Sequence, residues 1–318
     1  MAWRLKLVPD KTNVPFMKVR NGAFGFSGIL AVLSIVFLVI LGLNFGIDFR
    51  GGTLIQVKTQ GPANISVMRD AVGSLNLGDL ALQEFGEEDE VLIRVERQVG
   101  DSEEQQAAVD VIKRALEGAI DGDIEYRRVE FVGPQVSSEL VRAGALALGL
   151  ALAAMLIYIW LRFEWQFSVG AVMALVHDVI LTFGFFAITG LEFNLSIVAA
   201  ILTIVGYSMN DTVVVYDRVR ENLRKYKKMD LKDLIDLSIN DTLSRTTLTS
   251  VTTMLALVAL AVVGGPVIAG FVLAMIWGVV IGTYSSIFVA APVLLYLGVR
   301  REVFDKETDE KPGDATPA

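Results

Sequence analysis

The sequence has no cysteine and a single histidine, His177. Without thiols there can be no disulfide framework, thiolate nucleophile or Cys-ligated metal. One imidazole cannot build a histidine-cluster metal centre. Also missing are a Walker-type phosphate loop, a dinucleotide-binding fingerprint and an internal repeat. No cofactor or catalytic centre is therefore expected. No nucleic-acid signature is present either, and the basic run 218–232 is accounted for as a loop at the level of lipid headgroups.

Apolar residues are abundant. They make up 53% of 318 residues, and the mean hydropathy is positive. That composition belongs to polytopic membrane proteins. Six apolar stretches are long enough to cross a bilayer: Phe24–Leu43, Leu140–Leu161, Ser168–Thr189, Ser196–Tyr216, Thr247–Gly265 and Val267–Leu297. The last is too long for one upright helix, so it tilts or its ends leave the hydrocarbon. The first follows a basic stretch (Arg4, Lys6, Lys11, Lys18, Arg20) and exceeds the apolar core of a cleaved signal peptide, so it reads as a retained span.

Charge is unevenly shared. The net charge is −8, yet Asp48 to Glu139 holds 19 acidic and 9 basic residues, a net of −10. Lysine and arginine gather at the N-terminus, in the 218–232 run and in "RREVFDK" from Arg300, and are absent from the links Gly190–Leu195 and Gly264–Pro266. The positive-inside rule then places both termini and the 217–245 loop in the cytoplasm. The acidic segment lies on the other side.

That acidic segment reads as a small α+β domain. "GTLIQVKT" alternates like a strand, and "ISVMRDAVGSL" fits an amphipathic helix. "LALQEFG" and "EVLIRVER" form a hairpin turning at "EEDE". The helix 102–120 is capped by Ser102 with acids in its first turn, and "IEYRRVEFVG" closes as a strand. The order βαββαβ predicts a ferredoxin-like split-βαβ arrangement. The predicted organisation is a cytoplasmic N-terminus (1–22), span one (23–44), the ferredoxin-like domain (45–138), a five-span bundle (139–299) holding the 217–245 loop, and a disordered cytoplasmic tail (300–318).

Four ionisable groups sit inside apolar segments: His177 and Asp178 mid-span, Asp211 in "GYSMNDTVVVYD", and Arg245 at the start of span five. A charge at membrane depth costs about 2.5–3.5 kcal/mol or more, so such groups face a protein interior or a wet cavity and mark function. Helical spacing aligns Thr203, Tyr207 and Asp211, aligns Asp178 with Thr182, and sets Arg245 beside Thr249, Thr252 and Thr253. Bland readings stand beside the functional ones. Arg245 could be an interfacial anchor, the threonines packing glue, His177 a hydrogen-bonded packing residue, and Asp178 or Asp211 a buried structural acid. The functional reading is ion coupling. Desolvation raises a carboxylate's pKa and a nearby guanidinium lowers it, so a helix movement that changes an Asp–Arg distance changes proton affinity. A serine-nucleophile reading of "GYSM" fails on depth, because Ser208 is expected nearer the cytoplasm than His177, its only possible base.

"GIDFRGGT" (Gly46–Thr53), "VGPQVS" (Val132–Ser137), "HD" (His177, Asp178), "GYSMNDTVVVYDRVREN" (Gly206–Asn222) and "SINDTLSRTTLTS" (Ser238–Ser250) together resemble the signature segments of the SecF family, within the RND superfamily. The resemblance covers nearly all of the chain except the tail. It implies a non-enzymatic subunit of the Sec translocase in the bacterial inner membrane. It further implies pairing with a SecD-like six-span subunit, association with the SecYEG channel, and late preprotein translocation driven by protons, with sodium used by some relatives. By the same resemblance Asp211 and Arg245 line the ion path, with Asn210 in the same motif and Asp178 and His177 at matching positions. Two alternatives remain: half of an RND-type exporter, or a non-conducting scaffold of the translocon.

Overall fold

A computed structural model of the chain describes Pro9 and residues 12–299 apart from 79, 99, 101 and 121. The basic residues Arg4, Lys6 and Lys11 and the 300–318 tail lie outside the described residues. The first long helix, α1, runs Arg20–Leu41 and leads through a four-residue helix, α2 (Ile47–Arg50), into the sheet domain.

The domain has strands β1 (Gly52–Lys58), β2 (Leu80–Phe85), β3 (Glu87–Val95) and β4 (Glu125–Val132), with helix α3 (Ile65–Gly73) after β1 and α4 (Ser102–Ala119) after β3. All pairings are antiparallel, in the order β2-β3-β1-β4. β1 is central and buried on both faces. Its Ile55 and Val57, with Val91 and Ile93 of β3, lie beneath Met68 and Val72 of α3 and Val109, Ile112 and Leu116 of α4. Those helical residues recur every three to four positions, as one buried stripe requires. On the other face Leu54 and Leu92 receive Ile47 of α2.

The hairpin turns at Gly86 (φ +84°) and not at "EEDE", whose four acids are the first residues of β3. A glycine supplies the positive φ cheaply, and the acids find cations across the sheet: Lys58 Nζ lies 3.0 Å from Asp89 and Arg127 pairs with Glu90. α4 begins at Ser102, with Glu103 and Glu104 in its first turn. Gly51 (φ +73°) and Gly52 (φ +116°) make the exit from α2 into β1, where a Cβ on Gly52 would strike the Val95 carbonyl.

The remaining helices are α5 (Pro134–Arg162), α6 (Trp165–Thr189), α7 (Leu195–Lys225), α8 (Leu231–Val263), α9 (Pro266–Ser285) and α10 (Ala291–Leu297). α9 and α10 are one apolar stretch joined by a π-helical turn, Ser286–Ala290. Among the described residues six segments are long and apolar enough to span a membrane, as the sequence predicts. α6 and α7 bury 56% and 50% of their apolar windows, whereas α1, α5 and α8 bury 11% or less and form the rim.

The expected 217–245 loop is mostly helix. α7 continues to Lys225, and α8 begins at Leu231 after only five residues. The charges lie on one side of each extension. The other side buries Val215, Val219 and Leu223 against Leu234, Ile235 and Ile239. Asn222 Nδ2 bonds Ser238 Oγ (2.9 Å) and Arg218 Nε bonds Asp241 (2.9 Å) across the pair.

A joint ties the sheet domain to the helices. Phe45 bridges Phe193 in the α6–α7 link, with Gly46 N donating to Phe193 O (2.9 Å) and Phe193 N to Asn44 O (2.7 Å). Asp48 accepts from the backbone N–H of Leu195, the first residue of α7 (2.8 Å). Arg94 of β3 donates to Asn44 Oδ1 (3.0 Å) and Phe45 O (2.9 Å) and lies 3.6 Å from Glu192.

Candidate functional site

Successive residues of a helix point about 100° apart, so Asn210 and Asp211 serve different surroundings. Asp211 is 2% exposed, and its Oδ2 has no hydrogen-bond partner among the described residues. Asn210 is exposed and lines an open cavity of about 550 Å³ between α7 and α8, together with Asp217, Arg218, Asp241 and Arg245. Arg245 of α8 shares that cavity with Asn210, the neighbour of Asp211. No ion pair within 4 Å forms between Arg245 and Asp211. The two groups that the sequence pairs are thus near one another but not in contact.

The threonine stripes are less enclosed than the sequence predicts. Thr203, Arg245 and Thr252 are exposed, because α8 is a rim helix and Thr203 faces away from the α6–α9 core. Thr249 and Thr252 donate to carbonyls of their own helix. Tyr207 alone of the α7 stripe reaches across, its hydroxyl on Ser250 Oγ (3.2 Å), which in turn meets Thr283 Oγ1 (2.7 Å).

A second cluster lies one helical turn from Asp211. Asp178 of α6 is fully buried, and its Oδ2 accepts from Ser208 Oγ of α7 (2.5 Å) and from Ser285 Oγ of α9 (2.7 Å). Its Oδ1 lies 2.9 Å from His177 Nδ1. His177 stacks on Tyr284, with centroids 6.2 Å apart, and Tyr284 Oη bonds Ser27 of α1 (2.9 Å). One carboxylate thereby links α6, α7 and α9, and through His177 and Tyr284 also α1. Thr182, expected beside Asp178, donates to its backbone carbonyl (2.7 Å).

Glycines make the cluster possible. A Cβ on Gly282 would lie 3.0 Å from Ser208 Cβ, and one on Gly278 would run into Ile204. This i, i+4 pair brings α9 against α7 and delivers Ser285 to Asp178. The expected depth difference is wrong: Ser208 lies level with Asp178, since the two helices run antiparallel at similar distances from the α6–α7 link. The nucleophile reading still fails, because the Ser208 hydroxyl donates to the carboxylate and not to His177. Sequence reasoning missed Ser285. Its signal was present as "YSS", polar residues within an apolar stretch.

Two family descriptions match the chain: "Protein export membrane protein SecD/SecF, C-terminal" over residues 111–300, and "SecD/SecF GG Motif" over residues 36–63. The protein translocase subunit SecF of Cereibacter sphaeroides is 48% identical over 307 residues, covering 95% of this chain and 94% of that protein. The chain belongs to the SecF family. The SecF of Rickettsia felis is 46% identical over 309 residues, 96% of this chain and 98% of the relative. Among solved structures, SecDF of Thermus thermophilus superposes with a TM-score of 0.82 at 31% identity over 92% of this chain. A second SecDF structure, in a form described as super-membrane-facing, gives 0.65 at 29% identity. The chain spans 40% of the length of the first SecDF chain. The family's members are named as subunits of a protein translocase, a transport role and not a catalytic one, and six apolar helices make this member a multi-pass membrane protein.

Proposed function

We propose that this subunit couples the proton-motive force to the late stage of preprotein translocation. In this reading it pairs with a SecD-like six-span subunit and associates with the SecYEG channel in the bacterial inner membrane, with both termini cytoplasmic. Asp211 exchanges the proton, and Arg245 is the fixed positive partner. Asn210 belongs to the hydrated side of the pair, and Asp178 with His177 positions α7.

The observation that carries the reading is the state of Asp211. A buried carboxylate oxygen without a hydrogen bond is expensive as a structural feature, whereas a group that takes up and releases a proton needs a vacant oxygen. The open cavity bearing Asn210 and Arg245 adjoins the same stretch of α7, and in this reading a small rotation of α7 brings Asp211 to its edge. Arg245 stands off from Asp211, so a small helix movement suffices to change their interaction. Partnership is supported by the match to two-fifths of the SecDF chain and by exposed polar groups on α7 and α8, which lipid does not satisfy. The 48% identity to a translocase subunit SecF argues against an exporter half.

The test is ATP-independent completion of translocation in vesicles, with and without a proton gradient. Asp211→Asn keeps shape and insertion but removes the exchangeable charge, and abolishes the gradient's stimulation. Arg245→Lys is partly impaired, because lysine lacks the planar fork. Arg245→Met removes the compensating charge and is as severe as Asp211→Asn. A fully active Asp211→Asn protein would refute ion coupling and leave the scaffold reading.

A further inference from the structure

At the end of the bundle nearest the sheet domain, an apolar cavity of about 360 Å³ lies between α2, α5, α6 and α7. Its walls include Phe45, Phe49, Leu148, Phe183, Phe193 and Ile201. It exists because α5 presents Gly144 where another helix would carry a side chain: a Cβ there would only just touch Val198, at 3.9 Å. An apolar void of this size gives water no partners and leaves its walls without contacts on one side. An apolar ligand suits such walls.

The cavity's position identifies the occupant. It opens beside α5, which buries only 6% of its apolar window and turns Leu146 and Leu150 outward, 62% and 61% exposed. This is the lipid side, away from the polar α7–α8 face. Its floor near Ile201 lies about 9 Å of helix rise below the start of α7, within reach of a chain entering from the headgroup level. One charged residue stands among those lining it, and it is a cation. Arg50 lines the cavity, and Arg142 follows Val141 of the same wall. Both are exposed, and neither guanidinium has a hydrogen bond or ion pair among the described residues. Two unpaired guanidiniums are notable beside a domain in which acids outnumber bases 19 to 9. A guanidinium fork suits a phosphate.

We propose that this cavity is a phospholipid site. One acyl chain lies against the aromatic wall, and Arg50 and Arg142 hold the phosphate. The site is separate from the Asp211 region and does not depend on the ion-coupling reading.

The test uses the full-length protein purified in mild detergent with whatever co-purifies, reconstituted in phosphatidylethanolamine vesicles. The probe is phosphatidylglycerol carrying a diazirine midway along one acyl chain. Irradiation is expected to label segments 141–148 and 193–201 in preference to the exposed faces of α1 and of the rest of α5. Gly144→Leu fills the cavity and lowers that labelling roughly tenfold, while Leu148→Ala enlarges it and raises labelling, so the two variants move in opposite directions. Arg50→Gln with Arg142→Gln weakens labelling by phosphatidylglycerol by roughly tenfold or more, since one lost charge-assisted contact already amounts to about tenfold. The same variant leaves labelling by a diazirine diacylglycerol, which has no phosphate, unchanged. Uniform labelling of all lipid-facing surfaces, or labelling indifferent to Gly144→Leu and Leu148→Ala, overturns the proposal. Displacement of the probe by an apolar decapeptide also overturns it, and assigns the cavity to polypeptide.

Discussion

Removing the serine hydroxyls around Asp178 gives a measurable account of what holds the helix core together. Ser208 and Ser285 donate to the same carboxylate oxygen, at 2.5 and 2.7 Å, and both are 2% exposed or less. A hydrogen bond to a charged group contributes about 1.5–3 kcal/mol. Serine to alanine removes little volume, so Ser285→Ala alone should cost an amount in that range. Ser208→Ala should cost a similar amount. The double variant leaves Oδ2 with no donor in a site that water does not reach, so it should cost more than the two singles together. The excess should be about 0.5–3 kcal/mol, as for residues sharing one partner. Equilibrium unfolding of the reconstituted protein, monitored by the fluorescence of Trp277 on α9, reads all four corners of the cycle. Single effects under about 0.5 kcal/mol that simply add would refute the reasoning, because the two serines would then be packing residues and not ligands of a charge.

Three further outcomes follow from other parts of the structure. Gly282→Val should cost about 1–3 kcal/mol by overpacking the α7–α9 contact, and should lose further stability less readily when Ser285→Ala is added, since Ser285 has already been drawn from Asp178; additive effects in the unfolding assay would contradict this. Glu192, largely buried beside Arg94 in the α6–α7 link, has its pKa raised by burial from 4.5, with Arg94 opposing; the folded state then holds its proton more tightly than the unfolded one, so stability declines as pH rises from about 4.5 through the raised value. Glu192→Gln should flatten that slope in thermal melts across the acid range, and an unchanged slope counts against it. The cysteine-free background permits single cysteines at Glu88 and Lys228, which should react with an impermeant maleimide from opposite sides of the membrane; labelling of both from outside intact cells refutes the orientation.

Periodicity made the helices and the βαββαβ order legible, because burying one stripe or one face leaves a regular mark in the sequence. What it missed were features set by contacts between distant segments. The charged extensions of α7 and α8 read as loop, since their apolar stripe of Val215, Val219 and Leu223 is narrow and becomes meaningful only against Leu234, Ile235 and Ile239. The turn at Gly86 was displaced onto four acids that looked solvated, of which Glu87, Asp89 and Glu90 pair with Lys58 or Arg127 across the sheet. At the candidate site the ionisable residues were all identifiable, since each is conspicuous in an apolar run. Their partners were not. Ser208 and Ser285 are separated by 77 positions, and a single sequence does not state that two glycines let their helices close.

The joint at the link between α6 and α7 turns α7 into a lever. Its first residue is held by Asp48, and the adjoining link is gripped by Arg94 and the Phe45–Phe193 bridge. Asp211 lies about 24 Å further along the helix. A rod clamped at one end and pushed near the other has little freedom to slide; it pivots about the clamp. The reaction at the clamp is a torque, borne by the strand that carries Arg94 and by the short helix leading into β1. A sideways displacement deep in the bundle would then reach the sheet domain as a rotation, with the fulcrum at the rim. Asn44 and Asp48, which line neither cavity, would set the gearing of that conversion.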